Sequence, residues 1–232
     1  MSSNKPESFH RRVLENKGLL FTAITTVAIL IGGIVEIIPM YFVSEAATPL
    51  PGMKPYSPLE LAGRDIYIRE GCYNCHSQMI RPMRSETLRY GAWTRANEYA
   101  YDHPFQLGSR RIGPDIQRVG GKYPDQWHYE HMKDPRAVSP GSIMPNYPWL
   151  YDATVSAADV AASMGAMQTL GVPYTDVSES YAAAEMKRQG DEIVGRLATG
   201  GITARPGTEI IAVIAYLQRL GTDFRAPQTA SR

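Results

Sequence analysis

Two thiols two residues apart, with an imidazole directly behind them, constrain this chain more than any other feature. Residues 71–76 read Gly-Cys-Tyr-Asn-Cys-His, and Cys72 and Cys75 are the only cysteines in the sequence. This is the attachment signature of c-type haem. Each thiol can add across one vinyl group of a porphyrin while the following histidine swings under the ring to ligate iron. Cys72 and Cys75 are therefore expected as thioether anchors and His76 as the proximal ligand. The competing readings are a redox dithiol, a structural disulfide or half of a zinc site. A zinc site wants further thiolates or imidazoles at matching spacing, and the sequence has no second Cys pair. A dithiol oxidoreductase would set the pair at the start of a helix after a strand, within a βαβ pattern that this chain lacks. With no spare cysteines to staple the domain, haem burial has to supply part of its core.

Upstream, no charged residue occurs from Gly18 to Val35, and the apolar run continues past Glu36 to Val43. As a helix, 18–43 is about 39 Å long, enough to cross a ~30 Å hydrocarbon core with tilt. A cleaved signal peptide, with Ser44-Glu45-Ala46 as a poor cleavage site, would carry an apolar region of only about 7–15 residues. The span therefore reads as a retained transmembrane helix in a lipid bilayer. Lys5, Arg11, Arg12 and Lys17 precede it, whereas Lys54 is the only basic residue between Ser44 and Glu60. That bias puts the N-terminus in the cytoplasm and the rest outside, consistent with haem attachment as an export-side process of the bacterial inner membrane. Glu36 is either an interfacial carboxylate or, with Gly32 and Gly33, part of a face packing on a larger partner.

The exported part opens with Pro49, Pro51, Gly52 and Pro55, an extended linker. Ser57-Pro58-Leu59-Glu60 is a helix start, with Ser57 as N-cap, Pro58 at the first helical position and Glu60 closing a capping box. This helix should run to about Glu70 and stop at Gly71. At the far end, Ile210, Ile211, Val213, Ile214, Tyr216, Leu217 and Leu220 repeat with helical period up to Gly221. A helix leading into the haem motif and a C-terminal helix with an inward aromatic resemble the crossed pair of class I cytochromes c, with Gly63 and Tyr216 at the crossing. Between them, Ser156 to about Gly171 and Ser180 to Leu197 read as two helices of an insertion, either padding the haem domain or docking a neighbour. The expected architecture is mainly α: a cytoplasmic segment 1–17, a transmembrane helix 18–43, a linker 44–56, a periplasmic class I cytochrome c-like domain 57–225 with an insertion at about 151–205, and a tail 226–232. A formal charge of +1 leaves no nucleic-acid footprint.

Iron in a transfer cytochrome usually takes a second axial ligand. Met79 and Met83 follow His76 too closely to reach the other face of the ring. Met164 and Met167 lie in an alanine-rich helical stretch, where methionine is packing filler. Met144 stands in a proline-braced loop, Ser-Ile-Met-Pro-Asn-Tyr-Pro, 68 residues beyond His76. It resembles the Met-Pro distal-ligand motif of class I cytochromes. His103 and His128 stay open as alternatives, and His131 reads as a helix-surface residue. Gly113-Pro114-Asp115 resembles the segment of that fold whose proline carbonyl accepts the proximal imidazole's free N–H, which makes Pro114 the candidate for tuning iron from behind. Arg110 and Arg111 either face the haem propionates or are a solvated pair, and Arg81, Arg84 and Arg89 carry the same two readings.

Longer motifs narrow the family. Residues 71–82 (Gly-Cys-Tyr-Asn-Cys-His-Ser-Gln-Met-Ile-Arg-Pro), 101–106 (Tyr-Asp-His-Pro-Phe-Gln), 119–123 (Val-Gly-Gly-Lys-Tyr), 144–150 (Met-Pro-Asn-Tyr-Pro-Trp-Leu) and, in the span, 32–39 (Gly-Gly-Ile-Val-Glu-Ile-Ile-Pro) resemble the monohaem cytochrome c subunit of bacterial cbb3-type cytochrome c oxidase. The resemblance implies one covalent haem c that takes electrons from a dihaem cytochrome c subunit and passes them toward the b-type haems of a large haem–copper catalytic membrane subunit. Oxygen would be reduced in that other chain, so Cys72, Cys75, His76 and Met144 would carry electron transfer rather than bond chemistry. Two other classes compete: a membrane-anchored monohaem cytochrome serving another complex, such as nitric oxide reductase, and a haem sensor or small peroxidase with a labile sixth position.

Overall fold

The computed structural model describes residues 8–42, 48–108 and 110–225. The expected linker start at 44–47, the end of the span at Val43, the first residues of the N-terminal segment and the tail 226–232 lie outside the described residues. The chain divides into two compact units, Met1–Thr48 and Pro49–Arg232.

The first unit is built on α1, Gly18–Met40. Its apolar side chains face outward on every side, Leu19, Ile29 and Val35 among them, and among the described residues nothing lies within 4 Å of the positions that a Cβ on Gly32 or Gly33 would occupy. A helix of 23 residues is about 35 Å long, so α1 is long and apolar enough to cross a membrane. The structure ends the helix at Met40, beyond Pro39, and continues in a turn.

The second unit is mainly α. Its helices run, in chain order, α2, Pro58–Arg69, α3, Arg84–Tyr90, α4, Asp125–Lys133, α5, Pro135–Val138, α6, Ala157–Thr169, α7, Glu179–Thr199, and α8, Glu209–Arg219, and its scaffold is the crossing of α2 with α8. The capping box at Ser57 and Glu60 is formed, with the Ser57 N–H donating to Glu60 Oε2 at 2.8 Å. The helices touch at Gly63, where an added Cβ would lie 1.9 Å from the Ala212 carbonyl oxygen and 2.8 Å from Tyr216 Cβ. Only a hydrogen at that position lets the backbones approach this closely. Around the contact, Leu59, Leu61, Ile66, Ile210, Ile211, Ile214 and Tyr216 form the core. Arg64 and Asp102, each 2% exposed, pair inside it and tie the 96–105 segment to α2, with Arg64 Nη2 also donating to the Pro104 carbonyl at 2.6 Å.

The inserted helices are α6, Ala157–Thr169, and α7, Glu179–Thr199, opened by the N-caps Ser156 and Ser178. Met164, Met167, Met186, Ile193 and Leu197 belong to the same core as α2 and α8. Ser163 bonds Asp65 at 2.7 Å and Ser57 bonds Gln189 at 2.9 Å. These contacts make the insertion a part of the domain core. The proline-rich segment from Pro49 also belongs to this unit rather than standing free as a spacer: Leu50 is buried, the Lys54 carbonyl accepts from Arg219 at 2.8 Å, and Tyr56 packs edge-on to Tyr216.

Candidate functional site

The end of α2 delivers the haem-type motif. Gly71 adopts φ +68°, which turns the chain out of the helix, and Cys72–Asn74 forms a single tight turn. The amides of Cys75 and His76 both donate to the Cys72 carbonyl, at 3.1 and 2.9 Å. The two thiols and the imidazole are thus set by one loop of backbone. Both thiols are free. Burial, and after it the charge of Glu70, push the Cys72 thiol up to about 12. A redox dithiol needs a lowered value to form its thiolate, so this environment disfavours that reading.

His76 is held from behind. Its Nδ1 lies 2.8 Å from the Pro114 carbonyl oxygen. A carbonyl only accepts, so Nδ1 carries the proton and Nε2 presents a lone pair. Gly113 makes room for this: a Cβ there would lie 2.3 Å from His76 Cε1. The two segments are laced together by Gly113 N to the Cys75 carbonyl at 2.9 Å, Ile116 N to the Ser77 carbonyl at 2.9 Å and Gln78 N to the Leu107 carbonyl at 2.7 Å.

Buried charge locks that lacing. Asp115 Oδ2 accepts from Ser77 Oγ at 2.7 Å and from Met79 N at 2.9 Å, while Oδ1 accepts from Gln117 N at 2.9 Å. Arg111 donates to Ser77 Oγ and the Met79 carbonyl, both at 2.6 Å, and to Glu86 Oε2 at 2.7 Å. The Arg111 hydrogen bond, supported by Arg81, holds the Glu86 carboxyl near 2 against burial. Arg111 is therefore not a solvated surface group, since its Nε, Nη1 and Nη2 all face partners within the fold. Arg81 is committed to Glu86 as well, whereas Arg84, Arg89 and Arg110 are exposed. The Glu86–Arg111–Asp115 clamp escapes sequence reasoning, since Glu86 lies on the short helix Arg84–Tyr90 while Arg111 and Asp115 lie in an irregular segment some 25 residues on, with no periodicity to pair them.

Met144 is half-buried in an extended loop after Gly141. The loop is held by Met144 N to Ser142 Oγ at 3.2 Å and by Tyr147 N to the Met132 carbonyl at 2.9 Å. The chain just beyond it returns toward the motif, where Trp149 Nε1 donates to Glu70 Oε2 at 3.2 Å, and burial raises the Tyr147 hydroxyl to about 12. Met132 belongs to α4, Asp125–Lys133, which also carries both remaining imidazoles of this region. His128 is fully buried with neither ring nitrogen partnered among the described residues, and burial lowers it to about 4. His131 departs from expectation. It is half-buried, stacked on Trp127 with ring centroids 4.4 Å apart, and its Nδ1 is buried without a partner. Burial lowers it, and the His76 imidazole is near enough to add to the effect. One sequence signal was available: His128 and His131 stand at i and i+3 on one face. His103 lies beside Phe105 with ring centroids 6.3 Å apart, and none of the described contacts joins it to His76. Met164 and Met167 are core residues, 0% and 5% exposed.

These residues fit a haem. The donor set is two free thiols in one turn, an imidazole whose Nε2 is left as a lone pair, and a thioether on a loop that comes back to the motif. The Tyr67 hydroxyl beside Cys72 and the Nδ1 of His131 are buried polar atoms without partners among the described residues. Such orphans are costly unless a further group meets them.

A protein-family model described as "Cytochrome C oxidase, mono-heme subunit/FixO" matches residues 11–224. The chain belongs to this family. It is a mono-haem subunit of cytochrome c oxidase, an electron-transporting oxidoreductase complex in which it partners other oxidase subunits. The apolar helix α1 fits the membrane anchor of such a subunit. No curated protein sequence matches the chain.

Proposed function

We propose that this mono-haem subunit would hold a haem c covalently through Cys72 and Cys75, with His76 and Met144 as the side chains that would ligate its iron and Pro114 fixing the His76 ring. The haem would supply one-electron exchange between a dihaem cytochrome c subunit and the b-type haems of a large haem–copper subunit of cbb3 type. The chain's own residues bind, orient and tune. The Pro114 carbonyl stops the imidazole from rotating and raises its basicity, Gly113 keeps the space that lets it do so, and the Asp115 clamp prevents the two strands of loop from parting. No residue here makes or breaks a substrate bond, so catalysis resides in another chain. Anchored by α1 with its N-terminus in the cytoplasm, the subunit presents its haem domain to the periplasm of the bacterial inner membrane.

The observation that carries this reading is the 2.8 Å contact of His76 Nδ1 with the Pro114 carbonyl beside two unpaired thiols. A spectrum of the reduced pigment in alkaline pyridine tests it, together with extraction into acidified acetone. Haem c with both vinyl groups saturated, retained by the polypeptide, is expected. Colour that passes into the acetone would overturn covalent attachment. The purified complex should consume oxygen; consumption of nitric oxide with inertness to oxygen would move the chain to the alternative complex.

A further inference from the structure

The stretch from His76 to Pro114 shows one sign of charge to solvent. Its three carboxylates are turned inward and paired, Glu86 with Arg111 and Arg81, Glu98 with Arg118 and Asp102 with Arg64. Arg84, Arg89 and Arg110 are exposed and make no ion pair among the described residues. The helix α3 centres this surface. Glu86 and Tyr90 stand on its inner face, where Arg111 pairs with the carboxylate and lays its guanidinium 5.4 Å from the centre of the Tyr90 ring. Arg84 and Leu88, four residues apart, share the outer face with Arg89. Leu88 is 75% exposed there, while Met83 just before the helix and Ile112 next to Arg111 are 50% and 55% exposed. Ile112 precedes Gly113, the residue that lies against the His76 ring, so the surface adjoins the candidate site. A merely solvated face carries both signs and uses lysine freely, as α7 does with Lys187, Arg188, Glu185, Asp191 and Glu192. Here no lysine occurs between Lys54 and Lys122. Arginine with exposed methionine, and without lysine or carboxylate, is the composition of a protein–protein interface.

We propose that this surface docks the subunit with which the chain exchanges electrons, through an acidic protein face whose carboxylates meet Arg84, Arg89 and Arg110 around an apolar centre at Leu88. The inference rests on the proposed haem at His76 for the partner's task, and on the surface alone for the partner's chemistry. Three guanidiniums of one sign, with no counter-charge among the described residues, set up a potential that an opposing cluster of carboxylates completes. Each guanidinium can hold a carboxylate with two parallel N–H donors. The chain partners other oxidase subunits, which supply such a protein. Ile112 and Gly113 link the docked face to the His76 ring, so a partner seated here lies next to that ligand rather than across the domain. An anionic lipid surface would meet the same charges, but it would cover this approach to His76 and offer no electron acceptor or donor there.

The test uses the full-length chain in its assembled, haem-loaded oxidase. The double variant Arg84→Glu, Arg89→Glu reverses the outer face of α3, whereas Arg84→Lys, Arg89→Lys keeps its charge, and Lys187→Glu on α7 is the control. Two readouts are followed as salt is raised: retention of the other subunits by the tagged chain, and the rate of electron exchange between the haem and its partner. The glutamate pair should release the partner at salt that the wild type withstands and slow the exchange ~10-fold or more at low salt. The lysine pair should stay closer to wild type, and the control should match it. Haem content and midpoint potential should not move, because neither arginine touches the site. Unchanged retention and rate in the glutamate pair would overturn the proposal. So would an equal loss in the Lys187 control, which would reduce the effect to net charge. Sedimentation with phosphatidylglycerol vesicles separates the lipid surface: binding that the glutamate pair loses, with its subunits retained, would overturn a protein partner. If the wild type holds no haem c, the electron-transfer reading falls, while retention in the glutamate pair still decides the docking surface.

Discussion

The two sides of the candidate haem site are built on different principles. On the proximal side, segments some forty residues apart are joined by backbone bonds and then locked by a buried carboxylate, Asp115, whose two oxygens take three donors. Arg111 and Glu86 extend that lock outward. On the side of the proposed sixth ligand, the Met144 loop has a bond to its own Ser142, a turn closing on Ser139 and bonds to α4 from Tyr147 N and, beyond the loop, the Tyr151 hydroxyl, and Ile143 beside Met144 is 77% exposed. Buried, cross-linked segments open only with the whole domain, whereas loops with few buried contacts open locally. With the proposed ligands, the imidazole side would therefore fix where iron sits, and the thioether side would be where its chemistry can be adjusted at little cost to the fold.

The comparison breaks most sharply at Asp115. Asp115→Ala leaves Arg111 facing a lost partner and strands the donors of Ser77, Met79 and Gln117. It should cost ~3–5 kcal/mol, the usual loss when one member of a buried charged network is removed. Denaturant unfolding of the assembled, haem-loaded protein measures it, and a loss under about 1 kcal/mol would mean that backbone lacing alone holds the proximal side. Gly113→Ala comes next. Its Cβ would start 2.3 Å from the His76 ring, so the imidazole must swing away from Pro114, at ~1–3 kcal/mol for overpacking. The midpoint potential should rise at the same time, because an imidazole released from its acceptor is a poorer donor to ferric iron. A stability loss with no change of potential would detach Pro114 from tuning.

Met144→Ala probes the other side and should reverse the pattern. Stability falls by less than in Asp115→Ala, since the side chain is half-buried and its loop is lightly bonded. The potential should drop, and the reduced haem should bind carbon monoxide, which the intact protein resists. His103→Ala should do neither. If His103→Ala alone lowered the potential, the sixth ligand would be reassigned.

Much of the scaffold was legible because it rests on local chemistry. Ser57, Pro58 and Glu60 announce the start of α2, Gly71 announces its end, and the apolar period through Ile210 to Leu220 announces α8. Gly63 and Tyr216 were paired through the class I cytochrome resemblance, and the helices do touch there. Ser156 foretold α6, but the start of α7 at Ser178 rather than Ser180 shows how two serines within one turn compete for a cap. What stayed hidden depends on contacts distant in sequence. Nothing local pairs Arg111 with Glu86, and a period-three spacing puts His128 and His131 on one face without saying that the face turns inward. The prolines after Thr48 were read as extended chain, yet the segment turns at Pro51-Gly52, where Met53 N donates to the Leu50 carbonyl at 2.9 Å, and Leu50 and Tyr56 lie against the core.

The smallest expected effect concerns acid. Glu86 sits near 2 in the folded protein against an ordinary 4.5, chiefly because Arg111 donates to its carboxylate. A folded-state value below the unfolded one means that the ionised form favours folding. Its contribution is complete above about 4.5 and is lost as pH falls through about 2. In Glu86→Gln that contribution is missing throughout. The two proteins should therefore differ most at neutral pH and converge as the solution is acidified across that window. Part of the clamp is screened, since Arg81 is 55% exposed, so the gap should be smaller than the loss in Asp115→Ala. Denaturation midpoints of the two haem-loaded proteins, measured from pH 7 down to about 2, give the gap directly. A gap that stays constant with pH would show that Glu86 holds Arg111 by shape and hydrogen bonding alone, and the proximal lock would then rest on Asp115 without its outer charge.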